Sequence, residues 1–194
     1  MKRDIKIERK TKETEISLYF NLDGTGNTNL NTGIGFLDHM LELLAKHGDF
    51  DIECTAKGDI EVDYHHTTED IAIVIGQAIK ETLGNKIGIN RYSTIHIPMM
   101  ETLARVSLDL SGRGFLSFDY EFKSEKVGTF DTELVEEFFY SIAYNGGINL
   151  HIDVLKGKNV HHIIEAIFKA FARSLKEAVK ITSDKLPSSK GLIQ

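Results

Sequence analysis

Two copies of a His-His-x-x-Glu cluster are the part of this sequence best suited to chemistry. The copies comprise His65, His66 and Glu69, and His161, His162 and Glu165. With 8 histidines in 194 residues, a shuffled chain would contain such a cluster only about 0.03 times. Imidazole and carboxylate donors without cysteine favour Mn, Fe or Zn over a structural zinc. The duplicated cluster therefore predicts a metal-dependent enzyme.

Helix geometry divides each cluster between two ions. Residues three and four apart share one face of a helix, so each glutamate lies near both of its histidines. Adjacent histidines point roughly 100° apart, however, and one ion cannot easily take both. We therefore expect two ions, each bound by one histidine from each pair. The nearby Asp63 and Asp70 would add negative charge and orient the imidazole rings.

The apolar pattern predicts the elements that position these clusters. In the first half they are a hairpin over 5–20, a loop at 23–29, a helix from Gly35 to about Gly48, a strand at 50–56 and a helix from about Thr67 to Leu83. In the second half they are a hairpin joining strands 103–110 and 115–122, a helix at 132–144, a strand at 148–154 and a helix from about Asn159. The repeated β-β-α-β-α order indicates a tandem duplication.

The predicted fold class is α+β, with two mostly antiparallel sheets, each covered by helices. Residues 1–90 form the first repeat, and residues 91–194 form the second repeat with a C-terminal tail. The two repeats together are expected to make one catalytic unit, because each carries one histidine cluster.

Composition excludes several function classes. The net charge of −6 and the dispersed basic residues argue against a nucleic-acid partner. The single cysteine, Cys54, cannot form an internal disulfide, and its alternating apolar neighbours predict a packed strand residue. No segment has the length or apolarity of a targeting signal or a membrane span. We therefore expect a cytoplasmic protein without a membrane partner.

Four segments resemble the imidazoleglycerol-phosphate dehydratase family of histidine biosynthesis. They are Gly33 to Leu41 (GIGFLDHML), Asp63 to Asp70 (DYHHTTED), Asp109 to Arg113 (DLSGR) and His161 to Ala166 (HHIIEA). The resemblance covers essentially the whole chain. It implies dehydration of imidazole glycerol phosphate, a small phosphorylated imidazole, to imidazole acetol phosphate. It also implies two Mn²⁺ ions per active site, although other divalent transition metals are possible, and a homo-oligomer of 24 chains with sites at subunit interfaces.

The resemblance also assigns roles to residues of this chain. The implied metal ligands are both histidine clusters with their glutamates, together with His39 and Glu137. The implied carboxylates for proton transfer are Glu13, Glu69 and Glu165. The implied substrate or phosphate contacts are Glu13, His47, Arg91, Arg113, Lys169, Ser189 and Lys190. Without the resemblance, Glu13 and Arg113 are ordinary hairpin residues, and Lys190 lies in a solvated tail.

The reaction suits a dinuclear site. The leaving hydroxyl has no carbonyl to activate the adjacent C–H bond, so the imidazole itself must accept electrons. Two cations beside the ring would stabilise an imidazolate intermediate, while a carboxylate moves protons.

One position departs from the family pattern. Many members carry histidine where this chain has Glu137, and in the internal repeat Glu137 occupies the place of His39. A carboxylate there could bind the same ion; alternatively, water or substrate completes the ion and Glu137 only solvates its helix face. His151 is interpreted as a packing or ligand-orienting residue, and His96 has no motif around it.

Two other functions fit the duplicated cluster. A non-catalytic metal-binding or storage assembly would need no phosphate site. A metallohydrolase acting on a phosphorylated substrate would need two ions but no imidazole-sized gap between them.

Overall fold

The computed structural model describes residues 2–193, and each half contributes two long helices. The first half contains β1 (Asp4–Lys10), β2 (Thr14–Asn21), β3 (Thr28–Asn31), α1 (Gly35–Gly48), β4 (Asp51–Gly58) and α2 (His65–Leu83). The second half contains β5 (Tyr92–Met99), β6 (Thr102–Asp109), β7 (Phe115–Asp119), β8 (Lys126–Val127), β9 (Phe130–Asp131), α3 (Glu133–Gly146), β10 (Asn149–Lys156) and α4 (Val160–Ala178).

The two halves build sheets with the same strand order. The first sheet runs β1-β2-β4-β3 and the second runs β5-β6-β10-β7. In each sheet the first three strands are antiparallel, and the fourth is parallel to its neighbour. Strands β8 and β9 form a small separate ribbon. The predicted α+β fold with a duplicated unit is confirmed.

The repeated unit contains one strand more than predicted. In the first half β3 lies partly in the predicted loop; its only apolar residue is Leu30, and it exists as a strand because it pairs with β4. The predicted second hairpin is wrong, because β6 pairs with β5 and β7 lies parallel to β10. The chain does reverse direction after β6, but β10 lies between β6 and β7, so the two strands do not pair. The Gly112 N–H donates instead to the Gly147 carbonyl at 2.8 Å, beside the start of β10.

The four helices lie between the two sheets. Helix α2 packs on β1 and β2, α4 packs on β5 and β6, and the pairs α1/α4 and α2/α3 face each other. Contacts between His39 and Glu165 near one end, and between Asp49 and Lys176 near the other, show that α1 and α4 run parallel. Every long helix therefore packs against a helix of the opposite half.

Aromatic rings fill the core between α3 and α4. The ring of Phe168 lies 5.1 Å from that of Phe138 and 4.8 Å from that of Phe139. Cys54 is fully buried, and burial raises the pKa of its thiol to about 12, in agreement with a packing role. None of the helices within residues 2–193 is long and apolar enough to cross a membrane.

Helices α2 and α3 approach so closely that one position has no room for a side chain. A Cβ atom at Gly76 would lie 2.9 Å from both the Asn145 Cβ and the Ile142 carbonyl oxygen. Such distances require the helices to move apart.

Gly76→Ala should destabilise the protein by about 1–3 kcal/mol, because the added methyl group overpacks the contact between the halves. Gly35→Ala is the matched control: it adds a methyl group to α1 where nothing lies within 4 Å. We expect no loss of stability from the control, since alanine favours a helix more than glycine does. Urea unfolding of both variants measures the difference, and equal midpoints would contradict the close approach.

Candidate active site

His39, His161 and Glu165 converge where α1 meets α4. The Nε2 atoms of His39 and His161 lie 2.9 and 3.0 Å from the same carboxylate oxygen, Oε1 of Glu165. One ligand atom from each residue lies within 4.8 Å of the other two. Within residues 2–193, no other group of three or more His, Cys, Asp or Glu side chains lies close enough together to hold a metal ion. We call it the α1/α4 triad.

The carboxylate of Glu165 is held in its ionised form. Burial raises its pKa, but the Lys169 ammonium at 2.5 Å and hydrogen bonds from His39 and His161 outweigh that effect and lower the pKa to about 2. Glu165 is therefore a carboxylate at neutral pH and suits a cation ligand rather than a proton donor.

His47 belongs to the same neighbourhood. It lies in the last turn of α1, and burial lowers its pKa, as do the positive charges of Lys169 and Arg173. The nearby Glu165 opposes this shift. A neutral imidazole results, which can donate or accept a hydrogen bond from a bound substrate.

The counterparts of the triad in the repeat are His65 and Glu69 on α2 and Glu137 on α3, and within residues 2–193 they are not close enough together to form a second such group. His39 is the fifth residue of α1 and Glu137 is the fifth residue of α3, as the repeat predicts. His65 Nε2 lies 3.9 Å from Glu69, while Glu137 accepts a hydrogen bond from Ser141 at 3.3 Å. The structure thus places Glu137 on α3 at the position that His39 occupies on α1.

The second histidine of each pair is bonded to a carboxylate that the sequence analysis did not find. His66 Nδ1 lies 2.9 Å from Asp59, and His162 Nδ1 lies 3.0 Å from Glu101. Neither histidine bonds to Glu165 within the described chain. The repeat offered a signal for Glu101, which precedes β6 as Glu13 precedes β2.

Asp63 adds negative charge as predicted, since Asp59 and, to a smaller extent, Glu13 and Asp63 raise the pKa of His66. The predicted ring-orienting role is wrong for both Asp63 and Asp70, because neither carboxylate hydrogen-bonds to a histidine ring within residues 2–193. Asp63 accepts the backbone N–H of His65 at 2.7 Å at the start of α2. Asp70 is buried and lies 2.8 Å from Arg9 Nη2 and 2.5 Å from Thr14 Oγ1. Asp70 therefore fastens the β1–β2 hairpin to α2 because its side chain points to the sheet, away from both histidines.

That hairpin carries Glu13 at its tip. The side chain is exposed, and its Oε2 atom lies 3.9 Å from His66 Nδ1. Glu13 is thus both a hairpin-tip residue and a neighbour of the first cluster.

The predicted phosphate contacts meet elsewhere. A cavity of about 280 Å³ is lined by Arg91, Arg113, Ser189 and Lys190 together with Ser111 and Ser188. Arg91 is fixed by Asp109 at 2.7 Å and donates to the Pro187 carbonyl at 2.7 Å, which ties the C-terminal tail to this cavity. Lys169 does not line the cavity, since it bonds to Glu165.

The two remaining histidines lie outside both sites. His151 is exposed, and its ring packs against Phe115 at 5.6 Å. His96 is exposed on β5. The ring contact with Phe115 supports the packing alternative for His151.

A family model described as imidazoleglycerol-phosphate dehydratase matches residues 32–175. The chain belongs to this family. A curated relative from Azorhizobium caulinodans is 56% identical over 194 residues, covering 98% of each chain, and one from Acetivibrio thermocellus is 57% identical over 180 residues, covering 93% of this chain and 92% of the relative. Both are named imidazoleglycerol-phosphate dehydratase.

Solved structures of the family agree with the fold. The Staphylococcus aureus enzyme superposes with a TM-score of 0.85 at 46% identity, over 92% of this chain and 99% of that one. The Pyrococcus furiosus enzyme gives 0.84 at 33% identity, over 96% and 99%. The predicted enzyme class, a hydro-lyase of the imidazoleglycerol-phosphate dehydratase family, is confirmed.

Glu165 gives a prediction about pH in metal-free protein. Its folded pKa of about 2 lies below the ordinary value of 4.5, so its ionised form stabilises the fold fully above pH 4.5 and less as pH falls towards 2. Glu165→Gln removes this contribution. The difference in unfolding free energy between the wild type and the variant, measured by urea unfolding with chelator present, should shrink as pH falls through that range. A difference independent of pH would contradict the assignment.

Proposed function

We propose that this chain removes water from imidazole glycerol phosphate to give imidazole acetol phosphate in histidine biosynthesis, using two metal ions. Family membership supports the reaction. The observation that carries the proposal is the presence, in one chain, of a histidine and carboxylate triad and a separate cavity lined by two arginines and a lysine. One group suits a metal ion beside an imidazole, and the other suits a phosphate.

The donor set of the α1/α4 triad fits Mn²⁺. It offers two imidazole nitrogens and one ionised carboxylate, a mixture that Mn²⁺ and related divalent ions accept. We propose a second ion on His65, Glu69 and Glu137. His66 would complete the first ion and His162 the second, so that each ion takes one histidine from each pair. Bound ions would supply positive charge that stabilises negative charge developing on the substrate ring.

The carboxylates of this chain are assigned either to metal binding or to proton transfer. Glu165 stays ionised and hydrogen-bonded, so it serves as a ligand. Glu69 is equivalent to it in the repeat and takes the same role. Glu13 is exposed at a hairpin tip that Asp70 holds against α2, beside His66. We assign proton transfer to Glu13, because its carboxylate is accessible and its position is fixed.

The substrate's phosphate is assigned to the cavity of Arg91, Arg113, Ser189 and Lys190. Arginine presents paired N–H donors that match phosphate oxygens, and serine adds a hydroxyl donor. Arg91 is already held by Asp109 and by the tail, so less conformational freedom is lost on binding. Lys169 lies beside the α1/α4 triad rather than in this cavity, and it is a further candidate for contacting the substrate there.

A complete site requires two chains. His161 lies near the start of α4, while the N–H of Arg91 donates to the carbonyl of Ala178 at the end of the same helix, at 2.9 Å. From residue 161 to residue 178 the helix rises about 25 Å. A substrate with three carbons between ring and phosphate cannot span that distance. We therefore propose a homo-oligomer, of 24 chains on the family resemblance, with sites at subunit interfaces.

Three further expectations accompany this function. Repeats 1–90 and 91–194 act as one catalytic unit, since the α1/α4 triad takes residues from both. A cytoplasmic location is proposed from the single free, buried cysteine. The storage alternative does not explain the arginine-lined cavity, so it is the weaker proposal.

Purified protein incubated with imidazole glycerol phosphate and Mn²⁺ should form imidazole acetol phosphate, and chelation should stop the reaction. Chromatography of the products measures this, and an assay for inorganic phosphate runs in parallel. No product in either condition would refute the dehydratase, and release of phosphate would favour a metallohydrolase.

Arg113→Ala should raise KM, lowering kcat/KM about 10- to 100-fold, because a charged hydrogen bond to phosphate contributes about 1.5–3 kcal/mol. His162→Ala should instead abolish turnover. Arg105→Ala is the matched control, since Arg105 pairs with Asp153 on the sheet and does not line the cavity. Steady-state kinetics distinguish these variants; equal, mild effects from all three would count against both assigned sites.

A further inference from the structure

The two hairpin tips of the duplicated fold carry equivalent glutamates. Glu13 immediately precedes β2 and Glu101 immediately precedes β6, and each strand has 8 residues. Each carboxylate faces the second histidine of one cluster: Glu13 lies 3.9 Å from His66 Nδ1, and Glu101 lies 3.0 Å from His162 Nδ1. The repeat therefore places the same chemical group at both positions.

The two glutamates nevertheless have different partners. Oε1 of Glu101 accepts the backbone N–H groups of Asn159 at 2.8 Å and Lys158 at 3.3 Å, at the start of α4, while Oε2 faces His162. Both oxygens of Glu101 are thus committed. Within residues 2–193 the Glu13 carboxylate accepts no backbone N–H of α2, and Asp59 takes its place at His66 Nδ1.

Residue differences between the repeats explain this divergence. In the first half Asp70 anchors the hairpin to α2 through Arg9 and Thr14. In the second half Ala166 follows Glu165 just as Asp70 follows Glu69, so α4 offers no anchoring carboxylate. Glu101 therefore anchors its own hairpin to α4 and also bonds to the His162 ring. In the first half Asp70 anchors the hairpin and Asp59 bonds to the His66 ring, so Glu13 does neither.

We propose that Glu101 is the positioning residue of His162 and takes no part in proton transfer. A carboxylate that accepts from Nδ1–H fixes the neutral tautomer in which Nε2 carries the free lone pair, the form that binds a metal ion. The inference rests on the proposed function, in which His162 is a ligand. It adds a residue to that site and explains why only one of two equivalent glutamates remains free.

Glu101→Gln separates the two tasks of this side chain. The amide oxygen can still accept from the start of α4, but the amide nitrogen then faces His162 and favours the tautomer whose Nε2 carries the proton. Glu121→Gln is the matched control, since Glu121 is exposed and has no hydrogen bond or ion pair within residues 2–193. Glu101→Ala removes both tasks.

Mn²⁺ titration of the full-length protein, with free ion counted by electron paramagnetic resonance, tests the proposal. Glu101→Gln should keep the thermal midpoint near that of wild type and weaken Mn²⁺ binding roughly 10- to 100-fold at one class of site. It should lower kcat at saturating Mn²⁺ more than it raises KM. Glu101→Ala should weaken binding at least as much and also lower the thermal midpoint, and the Glu121 control should change neither.

A double variant distinguishes positioning from general damage. If Glu101 acts through His162, adding Glu101→Gln to His162→Asn should not weaken Mn²⁺ binding further. Additive losses, or unchanged affinity in Glu101→Gln, would overturn the proposal. Wild type that binds Mn²⁺ without dehydrating the substrate would refute the proposed function, while the affinities would still decide the role of Glu101. Wild type that binds no Mn²⁺ would overturn both.

Discussion

The packing of helices from opposite halves is the constraint on which the rest of this structure depends. The α1/α4 triad takes His39 from the first half and His161 and Glu165 from the second. Neither repeat contains these three side chains alone. The close approach at Gly76 keeps α2 and α3 of opposite halves in contact, while the aromatic cluster around Phe168 packs α3 against α4 within the second half. The core that stabilises the fold therefore also sets the distances within the site.

The sequence predicted what depends on local pattern. Helical periodicity located α1 and α2, and the structure begins α2 at His65, so both histidines of the first cluster are helical as required. Strand pairing was less predictable, because it depends on contacts between distant segments. The turn-like Gly112 region suggested a hairpin, but Gly112 bonds to Gly147 instead. Likewise β3 forms only through its pairing with β4.

The same distinction applies to the site. The residues in the histidine clusters were recognisable because their spacing is fixed within one helix. The groups that orient those histidines were not, because Asp59 and Glu101 arrive from loops outside α2 and α4. Asp70, although adjacent to Glu69 in sequence, points to the sheet. Proximity along a helix therefore identified the candidate ligands but not the groups that hold them.

Arg91 lies beside the C-terminal end of α4, and His161 lies near the N-terminal end of the same helix. In the proposed assembly each chain lends metal ligands to one site and phosphate-binding groups to another. A substitution at one end of the helix then inactivates only the site to which that end contributes, and the groups at the opposite end can still complete another site. Two inactive chains, each defective at one end, would therefore regenerate some intact sites when they assemble together, so inactivity of a single variant does not imply inactivity of a mixture.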